Sequence, residues 1–186
     1  MKPIEEMAQS LNVNLGHTFE NFKNVPGGEE VKKSFKEVIA GPRFMLLCYG
    51  GVGNGKTHLL EAASIELYKQ GRFCRVMTFF VILNTLKSAI NNPNPNMADY
   101  NEILNNYCYK VPQMIVDDIG AGGTDTDFGD TILETIVCAR YGRQLLTIMT
   151  TNRDIETLPE RVLSRLKDKS TSYLTFNRAG DYRPKL

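Results

Sequence analysis

Eight consecutive residues, Gly50-Gly51-Val52-Gly53-Asn54-Gly55-Lys56-Thr57, satisfy the phosphate-cradling pattern G-x-x-x-x-G-K-T at every fixed position. Glycines at this spacing let backbone N–H groups curl around phosphate oxygens with no Cβ in the way. A helix that starts at the end of such a loop adds its partial positive charge at the same point. Lys56 supplies a mobile cation for the β and γ phosphates, and the Thr57 hydroxyl can ligate Mg²⁺. Farther along, Asp117 and Asp118 close an apolar stretch. Two adjacent carboxylates at the end of a buried strand are costly unless they meet a cation. Mg²⁺ would answer that need, with Asp117 holding the ion directly or through water and Asp118 orienting or deprotonating an attacking water. A polar turn after a strand is the plainer reading of the same pair. Asn152 serves either to hydrogen-bond a γ-phosphate or the nucleophilic water, or as a turn or helix-capping residue. Arg161 and Arg165 stand four apart on one helix face.

The elements that must position these groups follow from apolar periodicity. Arg43 to Tyr49 is mostly apolar and of strand length, and it leads directly into the glycine loop. A helix from Thr57 to about Gln70 follows, with Gly71 placed for a C-terminal cap. Further strands are expected over 73–79, over 113–118 ending in the acidic pair, over 145–152 with a polar tip, and over 170–176. Helices are expected over 29–40, 81–90, 97–109, 158–166 and through the stretch carrying Ile132, Leu133, Ile136, Val137 and Tyr141. Asn91 to Asn96, with two prolines, is a break. Two aromatics three apart, Phe19 and Phe22, either pack over the start of the core or lie against a nucleotide base. Strand and helix alternate five times after residue 42, which predicts an α/β fold: a five-stranded parallel sheet between helices. Residues 1–42 read as a short N-terminal extension and entry helix, and residues 43–186 as the catalytic core of a single domain.

Composition sets the class. The chain has 186 residues, 42% apolar and 23% charged, with a formal net charge of +1. That balance fits one soluble domain and gives no pI argument for nucleic acid. The charge is unevenly placed. Residues 31–90 carry nine Lys/Arg against three Asp/Glu, and residues 91–134 carry one against eight. No apolar run approaches the roughly 20 residues that span a bilayer, and no secretion signal opens the sequence, so a cytoplasmic protein without a membrane partner is expected. Cys48, Cys74, Cys108 and Cys138 are widely spaced and no C-x-x-C pair occurs, so they are expected as reduced, buried thiols.

The ordered set of motifs resembles the AAA+ branch of the P-loop NTPases, and within it the DnaC/IstB group. Thr18-Phe19-Glu20-Asn21-Phe22 is similar to that group's T-F-D-N-F entry segment, and Gly50 through Leu59 to G-x-x-G-x-G-K-T-H-L, including His58. Val116-Asp117-Asp118-Ile119-Gly120 is similar to I-D-D-L-G, Ala139-Arg140-Tyr141 to a helix-terminal R-Y, and Thr150-Thr151-Asn152 to T-S-N. Glu160-Arg161-Val162 with Arg165-Leu166, then Asp181-Tyr182-Arg183, resembles the C-terminal signature of DnaC-type helicase loaders. The likeness runs from residue 18 to residue 183.

The resemblance implies an AAA+ ATPase of DNA replication that uses ATP and Mg²⁺; the helical lid of many AAA+ proteins is not expected, since the sequence ends soon after the fifth expected strand. By it, residues 50–58 bind the nucleotide, Thr57 and Asp117 the metal, and Asp118 handles the water. Asn152 is then the sensor of the γ-phosphate. Arg165, or failing that Arg161, reaches a neighbouring subunit's nucleotide, and Arg183 stands in for a second sensor. It also implies ATP-dependent self-association, a replicative helicase as partner, and single-stranded DNA contacted by helices within residues 79–109. Those residues hold few cations: only Lys87 and Lys110 occur between 79 and 110. An IstB-like transposition helper on duplex DNA and a slow-turnover nucleotide switch use the same site residues.

Overall fold

The computed structural model describes residues 3–22, 27–91 and 99–181. Residues 92–96 of the expected break and the candidate second sensor Arg183 lie outside them. Five strands form, β1 (Met45–Tyr49), β2 (Cys74–Thr78), β3 (Gln113–Ile119), β4 (Leu146–Thr151) and β5 (Ser172–Phe176). They pair in parallel in the order β2-β3-β4-β1-β5. The helices are α1 (Ile4–Leu11), α2 (Gly28–Ala40), α3 (Lys56–Lys69), α4 (Phe79–Ile90), α5 (Tyr100–Asn105), α6 (Asp127–Gly142) and α7 (Glu160–Leu166). The expected sandwich is therefore present, with small shifts in its boundaries.

Strand periodicity decides which helices cover which face. Side chains alternate across a strand. Leu46 and Cys48 of β1 therefore pack with Val31 and Phe35 of α2 and Leu59 and Ala63 of α3. Met45 and Leu47 point the other way, into a second cluster with Ile82 and Leu86 of α4, Ile136 and Val137 of α6, and Val162 of α7. A strand buried on both faces must be apolar almost throughout, and the Met-Leu-Leu-Cys run of β1 is. Phe19 and Phe22 join the α2/α3 cluster, so packing is the role the structure gives them. Among the described residues no helix is long and apolar enough to cross a membrane.

Two elements differ from expectation for identifiable reasons. The helix expected over 97–109 is α5 followed by a π-helical turn, Asn106–Lys110. In that turn the Val111 N–H donates to Asn106 O (3.1 Å), five residues back, which leaves the Tyr107 carbonyl available. Arg140 takes it. Tyr141, expected on the apolar face of α6, is only half-buried, and its hydroxyl donates to Asp168 Oδ2 (2.6 Å). Arg140 is the residue that goes inside, with no exposed surface. Its guanidinium donates to the carbonyls of Tyr107, Val111 and Leu146 and to Thr147 Oγ1, each at 2.8 Å. Burial pulls its pKa down to about 10, which leaves it protonated at neutral pH. One side chain thus joins α6, the π-turn and β4. α7 begins at Glu160, two residues later than expected, because Pro159 takes the cap position; Leu158 ahead of it is nonetheless buried.

Arg140→Met should cost about 3 kcal/mol or more in urea unfolding, because it strands several buried carbonyls at once; Arg140→Lys, with fewer donors in a different geometry, should recover only part. Thiol chemistry gives a second check. Cys48, Cys74 and Cys108 are buried and their pKa values pushed up to about 12, 11 and 11 by desolvation, whereas Cys138 is half-buried. Iodoacetamide at pH 8 should modify Cys138 alone in the native protein and all four after unfolding, as read by peptide mass spectrometry.

Candidate functional site

The glycine loop occupies the six residues between the end of β1 and the start of α3. Gly55 is the N-cap of α3, at φ 86° and with no side-chain cap. A Cβ there would come within 2.7 Å of the Phe22 ring, so both the backbone angle and the entry segment demand glycine. Lys56 is nearly buried. Its ammonium donates to Gly50 O (2.9 Å), Gly51 O (2.6 Å) and Asn54 Oδ1 (3.0 Å). The loop therefore closes around its own lysine, and those donors can be transferred to anionic oxygens placed in the same hollow.

The acidic pair stands opposite. β3 pairs with β4 in register through Val116↔Met149 and then shifts, resuming at Ile119↔Thr151. The irregularity falls on Asp117 and Asp118, and Asp118 has φ 62°. A non-glycine residue in this region is a strained position of the kind that functional sites hold. Thr150 at the tip of β4 sustains it: its hydroxyl donates to Asp117 Oδ1 in a short contact and accepts from the Asp118 N–H (3.0 Å). The Thr57 hydroxyl donates to Asp117 Oδ2 (2.8 Å), and Asn152 Nδ2 donates to Asp118 Oδ1 (2.9 Å). Loop, acidic pair and Asn152 line one cleft of about 460 Å³. That volume is in the range of small-molecule sites.

Among the described residues no group of three or more His, Cys, Asp or Glu could hold a metal. The Thr57 hydroxyl and the Asp117 carboxylate nevertheless fit Mg²⁺. That ion takes one or two protein oxygens and fills its octahedron with water and substrate phosphates.

Of the residues the sequence singled out, Val52 through His58, Asp117, Asp118 and Asn152 line the cleft, with Gly50 and Gly51 contributing carbonyls behind Lys56. Arg161 and Arg165 do not line it. Arg161 pairs with Glu134 (2.7 Å), and Arg165 donates to Arg161 O (2.8 Å) with its guanidinium 5.4 Å from the Tyr141 ring centroid. Three participants went unassigned. Thr150 belongs to a quoted motif, but its hydroxyl bridge depends on strand register. Asn177 reaches the loop from beyond β5. His17 lines the cleft, stacked on His58 at 4.4 Å between ring centroids and paired with Glu61 in a short contact. His58 donates to Thr18 O (2.8 Å), and burial depresses its pKa.

The model of the bacterial DnaA ATPase domain matches residues 13–171. The chain belongs to that family. Among curated relatives, the chromosomal replication initiator protein DnaA of Thermotoga petrophila is 31% identical over 166 residues, covering 83% of this chain and 36% of the relative. The chain thus spans about a third of the length of that relative. Among solved structures, a replication initiator DnaA bound to AMPPCP and single-stranded DNA superposes with a TM-score of 0.74 at 22% identity, over 90% of this chain and 51% of the other. A DnaC helicase loader superposes with a TM-score of 0.69 at 20% identity, over 88% and 98% respectively. Both likenesses establish the fold, that of an AAA+ P-loop core, shared between DnaA and DnaC proteins.

The depressed His58 pKa has a signed consequence. An unfolded histidine near pKa 6.5 binds protons that the folded one resists, so stability is complete above that pH and declines as pH falls below it. Unfolding free energy measured from pH 7.5 to 5 should fall on the acid side, and His58→Gln should flatten that slope.

Proposed function

We propose that this chain binds ATP with Mg²⁺, hydrolyses it slowly when alone, and serves DNA replication as a helicase-loading AAA+ module that works with single-stranded DNA. The observation that carries the reading is the single cleft in which Lys56 faces Thr57, Asp117, Asp118 and Asn152. Lys56 exchanges its backbone carbonyls for β and γ phosphate oxygens. Thr57 and Asp117 hold Mg²⁺, which supplies charge neutralisation between the phosphates. Asp118, held in place by Asn152 and Thr150, accepts a proton from the water that attacks the γ-phosphorus as the bond to the β-phosphate oxygen breaks, releasing ADP and phosphate. Arg165, with Arg161 second, reaches the nucleotide of an adjacent copy, which agrees with neither arginine lining this chain's own cleft. Such fingers are worth about 10³–10⁵ in rate, or roughly 4–7 kcal/mol of barrier. Arg183 as a second sensor remains part of the proposal.

The loader role draws on the motif series from Thr18 to Arg183 and on the fold shared with the DnaC helicase loader. Contact with single-stranded DNA draws on α4, which exposes Phe80 and Val81 at 47% and 46%. Exposed aromatic side chains such as Phe80 are the platforms on which unpaired bases stack. A second reading, a nucleotide switch that barely turns over, is favoured by one observation: Asp118 has the short arm of aspartate, and one of its oxygens accepts the Asn152 amide.

The test is nucleotide binding and steady-state hydrolysis with and without DNA. Lys56→Ala should abolish binding of a fluorescent ATP analogue. Arg165→Ala should leave binding intact and lower turnover about 10²-fold or more. Equal loss of binding in both variants would contradict the action of Arg165 on a neighbour. Stimulation by single strands supports the loader; preference for duplex supports a transposition-helper role; tight binding with background turnover at high protein concentration supports the switch.

A further inference from the structure

The segment after β5 is bonded to the phosphate loop through two buried amides. Asn54 and Asn177 are each 1% exposed. Asn177 Nδ2 donates to Asn54 O (2.8 Å), and Asn54 Nδ2 donates back to Asn177 O (3.0 Å). Each amide oxygen is used as well. Asn177 Oδ1 accepts from the Ala179 N–H (3.1 Å), and Asn54 Oδ1 accepts from the Lys56 ammonium (3.0 Å). The Asn177 N–H donates to Tyr49 O (2.7 Å), at the last residue of β1. A Cβ at Gly50 would come within 2.5 Å of Asn177 O, so the two backbones touch with only a glycine between them. An unbroken line of hydrogen bonds therefore runs from the tail of β5 to the ammonium of Lys56.

We propose that Asn177 is a positioning residue that clasps the loop in its phosphate-ready shape before nucleotide arrives. A glycine-rich loop has the largest conformational entropy to lose on ordering. Left to itself, it would take that loss out of the binding free energy. The paired amides order Asn54 in advance, and Asn54 in turn presents Lys56 to the hollow. Both amides sit away from solvent, where an unpaired donor or acceptor is expensive, so the loop is held in one arrangement. The same bonds make the loop sensitive to whatever moves the chain beyond β5. This role rests on the nucleotide reading above.

The experiment compares wild-type protein with Asn177→Asp, Asn177→Ala and, as a control of similar burial outside the cleft, Thr147→Val. Asn177→Asp keeps the shape and the acceptor for Ala179 but sets a carboxylate oxygen against Asn54 O. Hydrogen exchange without nucleotide should quicken over residues 50–57 in both Asn177 variants and stay at the wild-type level over β3 and β4. Saturating Mg-ADP should restore protection of that loop. The Kd for Mg-ADP by calorimetry should rise about tenfold or more, the weight of a lost buried hydrogen bond. Thr147→Val should lower Tm while leaving Kd unchanged. A Kd within twofold of wild type in both Asn177 variants, or exchange that quickens across the whole sheet, overturns the clasp. Wild-type protein that does not bind Mg-ADP or Mg-ATP overturns the nucleotide reading instead, and the clasp then stands or falls on the exchange measured without nucleotide.

Discussion

Parallel pairing is the constraint from which the site follows. In a parallel sheet every strand ends on the same edge, so the loops that leave β1, β3 and β4 are forced into one neighbourhood whatever their distance in sequence. β4 lies between β1 and β3, and its tip therefore touches both the glycine loop's strand and the acidic pair. The Thr150 hydroxyl exploits that position. It donates to one carboxylate and accepts from the backbone of the next residue, and so holds a left-handed Asp118 that a regular strand would not tolerate. Strain at one residue is sustained by hydrogen bonds from its neighbours.

Among the described residues, Lys56 and Asp117 each meet neutral hydrogen-bond partners. Lys56 is satisfied by carbonyl and amide oxygens, and Asp117 by two hydroxyls. Neutral partners of this kind keep the lysine and the carboxylate in place without binding each other, which preserves a hollow between them for an anion and its counter-ion. A direct Lys56–Asp117 ion pair would close that space and compete with any ligand. The α3 N-terminus, opened by Gly55 with no side-chain cap, lines the same hollow, where its partial positive charge favours an anion.

Away from the cleft, Arg140 shows the same economy with backbone groups. A π-turn frees one carbonyl, strand ends offer others, and a single guanidinium takes them all. The unit it holds together carries β3 and β4, whose tips bear the acidic pair and Asn152. Arg140 thus anchors the N-terminal ends of β3 and β4, at the opposite end of those strands from the cleft.

The phosphate loop, its strand and its helix were legible in the residues themselves, because a G-x-x-x-x-G-K-T run has one economical backbone solution and its flanks carry unambiguous apolar patterns. The five strands, one of them ending in the acidic pair, followed from local apolar patterns in the same way. What the sequence by itself left open was every role that depends on register or long-range approach. Only the order of β3 and β4 puts Asn152 2.9 Å from Asp118. Phe19 and Phe22 had two readings until the core absorbed them. Arg140 passed as part of a motif, and its burial emerged only when the π-turn and β4 converged on it. Asn177, 123 residues from Asn54, carried no local signal at all. Periodicity records which face of an element is covered, but only the packed sheet determines which side chain it meets there.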